Sequence, residues 1–343
     1  MIKMFPLIRK FKDKQIQYET LFSGQHKDLF SQFKNWLPEP DYTLDTMEHG
    51  QSLNKLSSKI YSQLDAIDLS HVSHVIVQGD TTTAYTMAMA AFNQQIKVIH
   101  LEAGLRTHNK YSPFPEEMNR CLISKIADIH LCPTAISVEN LRMEGITENV
   151  YLVGNTVVDA FDLIGADARV LALGTVARVP DASKTLLVTL HRRENRDKMY
   201  ILWDQINILA KTHRIVYIIH PSLKDAFDYL DERIIKLHGL DYCDMVKQIK
   251  NSVGIITDSG GLQEEAICAG KKVLVCRDTT ERPETIESGW GKLVGTDILG
   301  NIDFLDPNGL SVCGDGVCDK KLINPYGDNV CEKIVGVLKL IGC

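Results

Sequence analysis

Residues Gly254-Ile-Ile-Thr-Asp-Ser-Gly-Gly-Leu-Gln-Glu-Glu-Ala-Ile-Cys-Ala269 decide the fold. The β-branched run Gly254–Thr257 predicts a buried strand, Asp258-Ser259-Gly260-Gly261 a turn, and Leu262–Ala269 a helix. A strand that feeds a helix through a Gly-rich turn is half of a βαβ unit, and repeats of that unit build a parallel sheet. The repeats are present on both sides. Lys272–Cys276 predicts the next strand and ends at Arg277-Asp278. Upstream, Leu186–Thr189 ends at His191, and Ile215–Ile219 ends at His220-Pro221.

A separate series precedes these. Val75–Val77 predicts a strand ending at Gly79-Asp80, followed by a helix over Thr81–Phe92 with Thr81 as N-cap. Val98–Leu101 ends at Glu102. Pro115–Ile126 predicts a helix with proline in its tolerated first turn. Asp128–Leu131 and Val150–Val153 predict two more strands. Near-continuous apolar strands alternating with helices imply sheets buried on both faces. The expected fold class is therefore α/β, with two Rossmann-like doubly wound domains. A chain of 343 residues is long enough for them, at about 150 residues per domain. The break lies within the Ala/Gly/Asp/Val-rich stretch Gly165–Ser183. The expected division is residues 1–168, then 169–328, then a C-terminal helix within 329–343 that packs back on the first domain.

Composition excludes several classes. The net charge is −6, so no basic nucleic-acid surface is expected. Apolar residues make up 44% and charged residues 24%, which is ordinary for a globular chain and not for a disordered or fibrous one. No run approaches the length of a membrane span, and Met1–Lys12 lacks the apolar core of a secretory signal. Nine cysteines, an odd number scattered from Cys121 to Cys343, fit free thiols in a reducing cytoplasm better than a disulfide framework. Cys313 and Cys318 have no second ligand pair at metal spacing, so they are expected in a Gly-rich surface loop and no metal is expected.

The polar residues gather where strands end: Asp80, Glu102, His191, His220 and Ser259. Open α/β sheets bind ligands at the carboxyl ends of their strands, and two such domains facing each other would enclose a cleft. Ser259, Gly260 and Gly261 open a helix whose free N–H groups suit a diphosphate. Glu265, one turn later, suits a ribose hydroxyl pair. A plain strand-to-helix turn is the alternative. Asp80, Glu102 and Glu116 are candidates for proton transfer, although each alone could be a helix cap or ion-pair partner. His191-Arg-Arg-Glu194 and Arg282 could neutralise a phosphate. An exposed basic turn is the alternative for His191-Arg-Arg-Glu194. Met87, Met89 and Met245 could be core residues.

Seven motifs together resemble the UDP-N-acetylglucosamine 2-epimerases. They are Val77-Gln-Gly-Asp-Thr-Thr-Thr83, His100-Leu-Glu-Ala-Gly-Leu-Arg-Thr107, Tyr111-Ser-Pro-Phe-Pro-Glu-Glu-Met-Asn-Arg120, Leu190-His-Arg-Arg-Glu-Asn195, Thr257-Asp-Ser-Gly-Gly-Leu-Gln-Glu-Glu265, Arg277-Asp-Thr-Thr-Glu-Arg-Pro-Glu284 and Asn324-Pro-Tyr-Gly-Asp328. They run in order over nearly the whole chain. The resemblance implies a GT-B-like architecture with the active site in the cleft, and a homodimer. It implies reversible conversion of UDP-GlcNAc to UDP-ManNAc without metal, NAD or flavin. The Ser-Pro-Phe-Pro-Glu-Glu segment points to the non-hydrolysing bacterial-type branch; the hydrolysing branch is the nearest competitor. The implied route expels UDP from C1, removes the C2 proton to give a 2-acetamidoglucal, protonates the opposite face and re-adds UDP. Asp80, Glu102 and Glu116 are then the acid/base candidates, with the face each serves unassigned. His191 would assist the diphosphate. Ser259, Gly260, Gly261 and Arg282 would hold the phosphates, Glu265 the ribose and Met245 the uracil, and Lys3 would also contact the substrate. Gln25, His26, Arg192 and His220 match a regulatory UDP-GlcNAc site.

The chain departs from the family pattern in places. Ile2-Lys3-Met4-Phe5-Pro6 matches the family's first helix, but the strand and Gly-Thr-Arg-Pro-Glu turn that precede it are absent. The first strand of a doubly wound sheet is central, so its loss would leave a slot with unpaired strand edges. The expectation is a reading frame that extends upstream of Met1. Met245 replaces a common phenylalanine, and Gln78 a frequent histidine. Asp28 and Gly50 stand where some members have glutamine and arginine, so weakened substrate activation is expected. Two other functions compete with the epimerase. A GT-B glycosyltransferase would share the Gly-Gly-x-x-x-Glu site but leave the first-domain carboxylates unexplained. A non-catalytic nucleotide-sugar binder would follow from the absent strand.

Overall fold

Each apolar run singled out in the sequence forms a parallel strand. The computed structural model describes residues 1–25, 36–166, 185–220, 223, 225–306, 312–313, 316–317 and 322–342. The chain divides into two units, Met1–Ala160 with Tyr326–Cys343, and Phe161–Pro325.

The first unit begins with α1 (Phe5–Asp13), which buries Phe5, Leu7 and Phe11 at helical spacing. Two short parallel strands follow, β1 (Leu21–Phe22) and β2 (Tyr42–Thr43), and then α2 (Leu53–Leu64). The main sheet has the order β3 (His74–Gln78), β4 (Lys97–Leu101), β5 (Ile129–Cys132), β6 (Val150–Leu152), all parallel. Its connecting helices are α3 (Thr82–Asn93), α4 (Glu116–Ile126) and α5 (Ala135–Met143). Among the described residues β1 pairs with β2 alone and β3 with β4 alone, so the strands of this unit form two sheets. β4 is buried from Val98 onward, whereas most of β3 is half-buried.

Local chemistry accounts for the boundaries. Thr81 caps α3 by accepting from the Ala84 N–H at 3.1 Å, as expected. Pro115 is the N-cap of α4 rather than its first helical residue, so Glu116 opens the helix. The C-terminal helix Val330–Leu340 belongs to this unit and buries Val330, Cys331, Ile334, Val335 and Leu338. The Asp159 carboxylate accepts from the N–H groups of Val330 and Cys331, neutralising the helix start. Glu332 pairs with Lys14 at 2.7 Å and Lys10 at 3.3 Å.

The second unit continues from α6 (Val157–Ala166). Its parallel sheet contains β7 (Thr185–Thr189), β8 (Arg214–Ile218), β9 (Ile235–Leu237), β10 (Gly254–Thr257), β11 (Lys272–Val275) and β12 (Gly291–Leu293). The order is β12-β11-β10-β7-β8-β9, so the connections reverse direction beside β7 and β10. Its helices are α7 (Met199–Leu209), α8 (Ala226–Tyr229), α9 (Tyr242–Lys250), α10 (Gly260–Cys268) and α11 (Pro283–Glu287). Leu186, Val188, Tyr217, Ile256 and Leu274 form the centre of the core, with Trp203 donating to the Tyr217 hydroxyl at 3.1 Å. α10 begins at Gly260, two residues before the expected Leu262, with Ser259 as N-cap. Packing restricts this position to glycine: a Cβ on Gly260 would lie 2.5 Å from Glu281 Oε1. β1, β2, β9 and β12 were not predicted: β1 and β2 have two residues each, and a lysine interrupts the apolar run in β9 and β12.

Two histidines lie side by side in the first sheet, His100 opposite His130 on β4 and β5. Burial pushes the His100 ring down to about 3 and the His130 ring down to about 4. Both are therefore neutral in the fold, while the unfolded chain charges them below about pH 6.5. The unfolded state binds more protons between that pH and the folded values, so stability falls as pH drops through the window. For His100 alone the loss at pH 4 is about 3 kcal/mol. Thermal melting at pH 7 and pH 4 checks this; an unchanged melting temperature contradicts it.

Candidate active site

In the first unit the sequence candidates converge on the ends of β3 and β4. Asp80 follows β3 directly after Gly79, and Glu102 follows β4. Lys3 donates to Glu102 Oε1 at 2.5 Å, and Gln78 donates to Oε2 at 2.5 Å. Glu102 is 9% exposed, and such burial is tolerable because a cation and a neutral donor engage its two oxygens. Glu102 itself sits at φ 70, a left-handed conformation that costs a non-glycine residue energy and recurs at functional sites.

Asp80 is held from α4. Arg120 reaches Asp80 Oδ2 with Nη2 at 2.6 Å and Nε at 2.9 Å, and Asn119 donates to the Asp80 carbonyl at 2.8 Å. Glu117 bonds the same guanidinium at 2.9 Å and accepts the N–H groups of Thr107 and His108, each at 2.9 Å. Glu117, Asn119 and Arg120 were not among the expected site residues. Their spacing was the available signal, since positions three and four apart share a helix face. Glu116 opens α4, and its buried Oε2 has no hydrogen-bond partner among the described residues. Gln25 accepts from the Thr83 hydroxyl at 2.9 Å. His26 lies outside the described residues.

In the second unit His191, His220 and Ser259 follow β7, β8 and β10, which are adjacent strands. The His191 ring stacks on His220 at 5.0 Å between centroids. Asp258, fully buried, accepts the N–H groups of His191 and Arg192 and the Asn195 amide. Its Oδ1 lies 3.6 Å from His191 Nδ1. Burial lowers the His191 pKa, Asp258 opposes that, and His220 and Arg192 reinforce it.

Arg282 is bound to protein carboxylates: Nε to Glu264 at 2.7 Å, Nη1 to Glu281 at 3.0 Å. Glu281 also receives Arg277 at 2.5 Å and Arg192 at 3.3 Å. Burial alone would raise the Glu281 carboxyl, but Arg282, Arg277 and Arg192 outweigh it and hold the group at about 2. This network packs on Gly260, while a Cβ on Gly261 would meet open space. The first turn of α10 is thus braced on one side and open on the other. Glu265 is half-buried; together with burial, its charge pushes the Tyr242 phenol well above its ordinary value. Met245 is half-buried on α9.

Comparison with known proteins places the chain in a family. The family description UDP-N-acetylglucosamine 2-epimerase matches residues 9–339. A UDP-N-acetylglucosamine 2-epimerase of Salmonella borreze is 39% identical over 97% of this chain and 93% of its own. The chain belongs to the UDP-N-acetylglucosamine 2-epimerase family. This is a family of isomerases, and its fold extends to the solved members. The Neisseria meningitidis UDP-GlcNAc 2-epimerase bound to UDP-GlcNAc superposes with a TM-score of 0.86 at 34% identity, covering 99% of this chain and 96% of that one. The Methanocaldococcus jannaschii enzyme in complex with UDP-GlcNAc and UDP gives 0.79 at 31%, covering 99% and 96%. The two Rossmann-like units and the parallel sheets are those of this GT-B-like epimerase family.

Among the described residues no group of three or more His, Cys, Asp or Glu is placed to hold a metal ion. No described helix is long and apolar enough to cross a membrane. Six cysteines are free thiols among those described. Of the Cys313–Cys318 loop expected from the sequence, Cys313 pairs antiparallel with Gly316, and Cys318 lies outside the described residues.

Proposed function

We propose that this chain inverts C2 of UDP-N-acetylglucosamine to give UDP-N-acetylmannosamine, reversibly. The observation that carries this reading is the pair Asp80 and Glu102 on adjacent strand ends, each fixed by its own cation, Arg120 and Lys3. An acetamido-sugar C2–H is a weak acid, so the leaving group departs first. As the C1–O bond breaks, its electron pair goes to UDP and positive charge grows at C1. A carboxylate then takes the C2 proton and the C–H pair forms the C1=C2 bond of 2-acetamidoglucal. In the return, a carboxyl group on the other face gives C2 a proton and UDP oxygen re-adds at C1. Two faces need two acid/base groups, and Asp80, Glu102 and Glu116 supply them.

UDP departure builds charge on the diphosphate. Ser259, Gly260 and Gly261 offer it the N-terminus of α10. His191, Lys3 and Arg282 add positive charge, Glu265 takes the ribose hydroxyls, and Met245 covers the uracil. These groups account for the chemistry with no further cofactor. The Neisseria and Methanocaldococcus relatives, solved with UDP-GlcNAc, support the UDP-sugar substrate.

The reading includes a homodimer, for which light scattering should give about twice 38.5 kDa. It also includes a regulatory UDP-GlcNAc site using Gln25, His26, Arg192 and His220, with weakened activation. Saturation with UDP-GlcNAc should be close to hyperbolic. A strongly sigmoidal curve, abolished by Gln25→Ala, contradicts weakened activation.

Incubation with UDP-GlcNAc, followed by NMR of the anomeric protons, tests the reaction. A mixture of two UDP-sugars, reached from either sugar, is expected. Free N-acetylmannosamine appearing with equimolar UDP would assign the hydrolysing reaction instead.

A further inference from the structure

Proton transfer at Asp80 requires the backbone before it to stay fixed, and the fold supplies a buried group that no catalytic step uses. Gly79 precedes Asp80 at φ 74, a conformation that L side chains rarely adopt. Its N–H donates to the Leu101 carbonyl at 3.0 Å. Its carbonyl lies 2.9 Å from His100 Nε2. His100 is completely buried on β4, opposite Val77 of β3.

A carbonyl only accepts, so Nε2 must carry the proton. Nδ1 then lacks one, and it has no hydrogen-bond partner among the described residues. The ring is a neutral donor with a single tautomer, locked between two strands. On the far side of Asp80, Asn119 holds its carbonyl and Arg120 its carboxylate. The peptide on each side of Asp80 is therefore tied to a buried or nearly buried side chain.

We propose that His100 is a positioning residue for Asp80: its Nε2–H fixes the Gly79 carbonyl, and through that peptide sets where the carboxylate meets C2. This inference rests on the epimerase reading above. A histidine that merely fills the core would be replaceable by any residue of its size. A positioning donor would not, because a small displacement of a reacting group costs rate more than binding.

Three variants separate the two roles. Leucine fills similar space without a donor. Glutamine can place an amide N–H near the Nε2 position, and asparagine is too short to do so. His100→Leu and His100→Asn should each lower kcat by about 10- to 100-fold with KM nearly unchanged, and His100→Gln should recover most of the loss. Melting temperatures are recorded alongside; if the leucine variant fails to fold, the asparagine–glutamine pair carries the comparison.

Equal kcat losses in glutamine and asparagine variants would overturn the proposal. So would a wild-type kcat in His100→Asn, or losses confined to KM. A wild-type protein that places no solvent deuterium at C2 of UDP-GlcNAc would overturn the epimerase reading itself, which these comparisons among active variants leave separate.

Discussion

Glu102→Gln lowers the rate of C2 epimerisation by about 10²- to 10⁴-fold, the range expected when a positioned acid/base group is lost. The substitution is isosteric but removes the negative charge. Glu102 accepts from Lys3 at one oxygen and from Gln78 at the other. An amide keeps one acceptor, which can face Lys3, and the Gln78 amide can turn to accept from the new NH₂. The variant therefore loses the proposed proton-transfer group and leaves the Lys3 ammonium without its counter-charge, which lowers stability. Initial rates with UDP-GlcNAc measure the first effect and thermal melting the second. A variant with near wild-type kcat would remove Glu102 from the chemistry.

Glu281→Ala destabilises the second unit by about 3 kcal/mol or more, because removing one member of a buried charge network strands the others. Glu281 is 3% exposed and receives Arg192, Arg277 and Arg282. Glu264 still bonds Arg282, and Glu194 still bonds Arg277 at 2.6 Å, so partial compensation is built in. Arg282 loses one of the two carboxylates that orient it beside α10, and UDP affinity should fall with stability. Denaturant unfolding and UDP titration report the two losses. A variant as stable as wild type would mean that the three arginines re-solvate freely.

The same carboxylate adds an acid-sensitive contribution to stability. Its folded pKa, about 2, is depressed from the ordinary glutamate value of 4.5. The stability it provides is complete above the unfolded value and is lost as pH falls toward the folded one. That window begins where His100 and His130 have already weakened the fold.

The sheets were legible because buried parallel strands are nearly continuous apolar runs. Val98–Leu101, Leu186–Thr189 and Gly254–Thr257 read as strands for that reason. β9 and β12 do not show the pattern, because Lys236 and Lys292 stand at their centres. The strand-end carboxylates and histidines were legible by type and position alone. Their partners were not: Arg120 lies forty residues from Asp80, and Glu281 eighty-nine from Arg192. Such pairs follow from tertiary packing rather than local spacing. Gly260 shows the limit from the other side. Its Gly-rich turn suggested an approaching ligand, yet Glu281 and Arg282 occupy the space its missing Cβ leaves. Only Gly261 keeps open space at that turn.

The proposed reaction requires proton exchange at C2, by carboxylates that Arg120 and Lys3 fix. Incubation of the purified protein with UDP-GlcNAc in heavy water tests it most directly, read by mass spectrometry and NMR of the recovered nucleotide sugar. One solvent deuterium at C2, in both UDP-GlcNAc and newly formed UDP-ManNAc, is the predicted result. Recovery of unlabelled UDP-GlcNAc alone, from a folded protein that binds UDP, would contradict it.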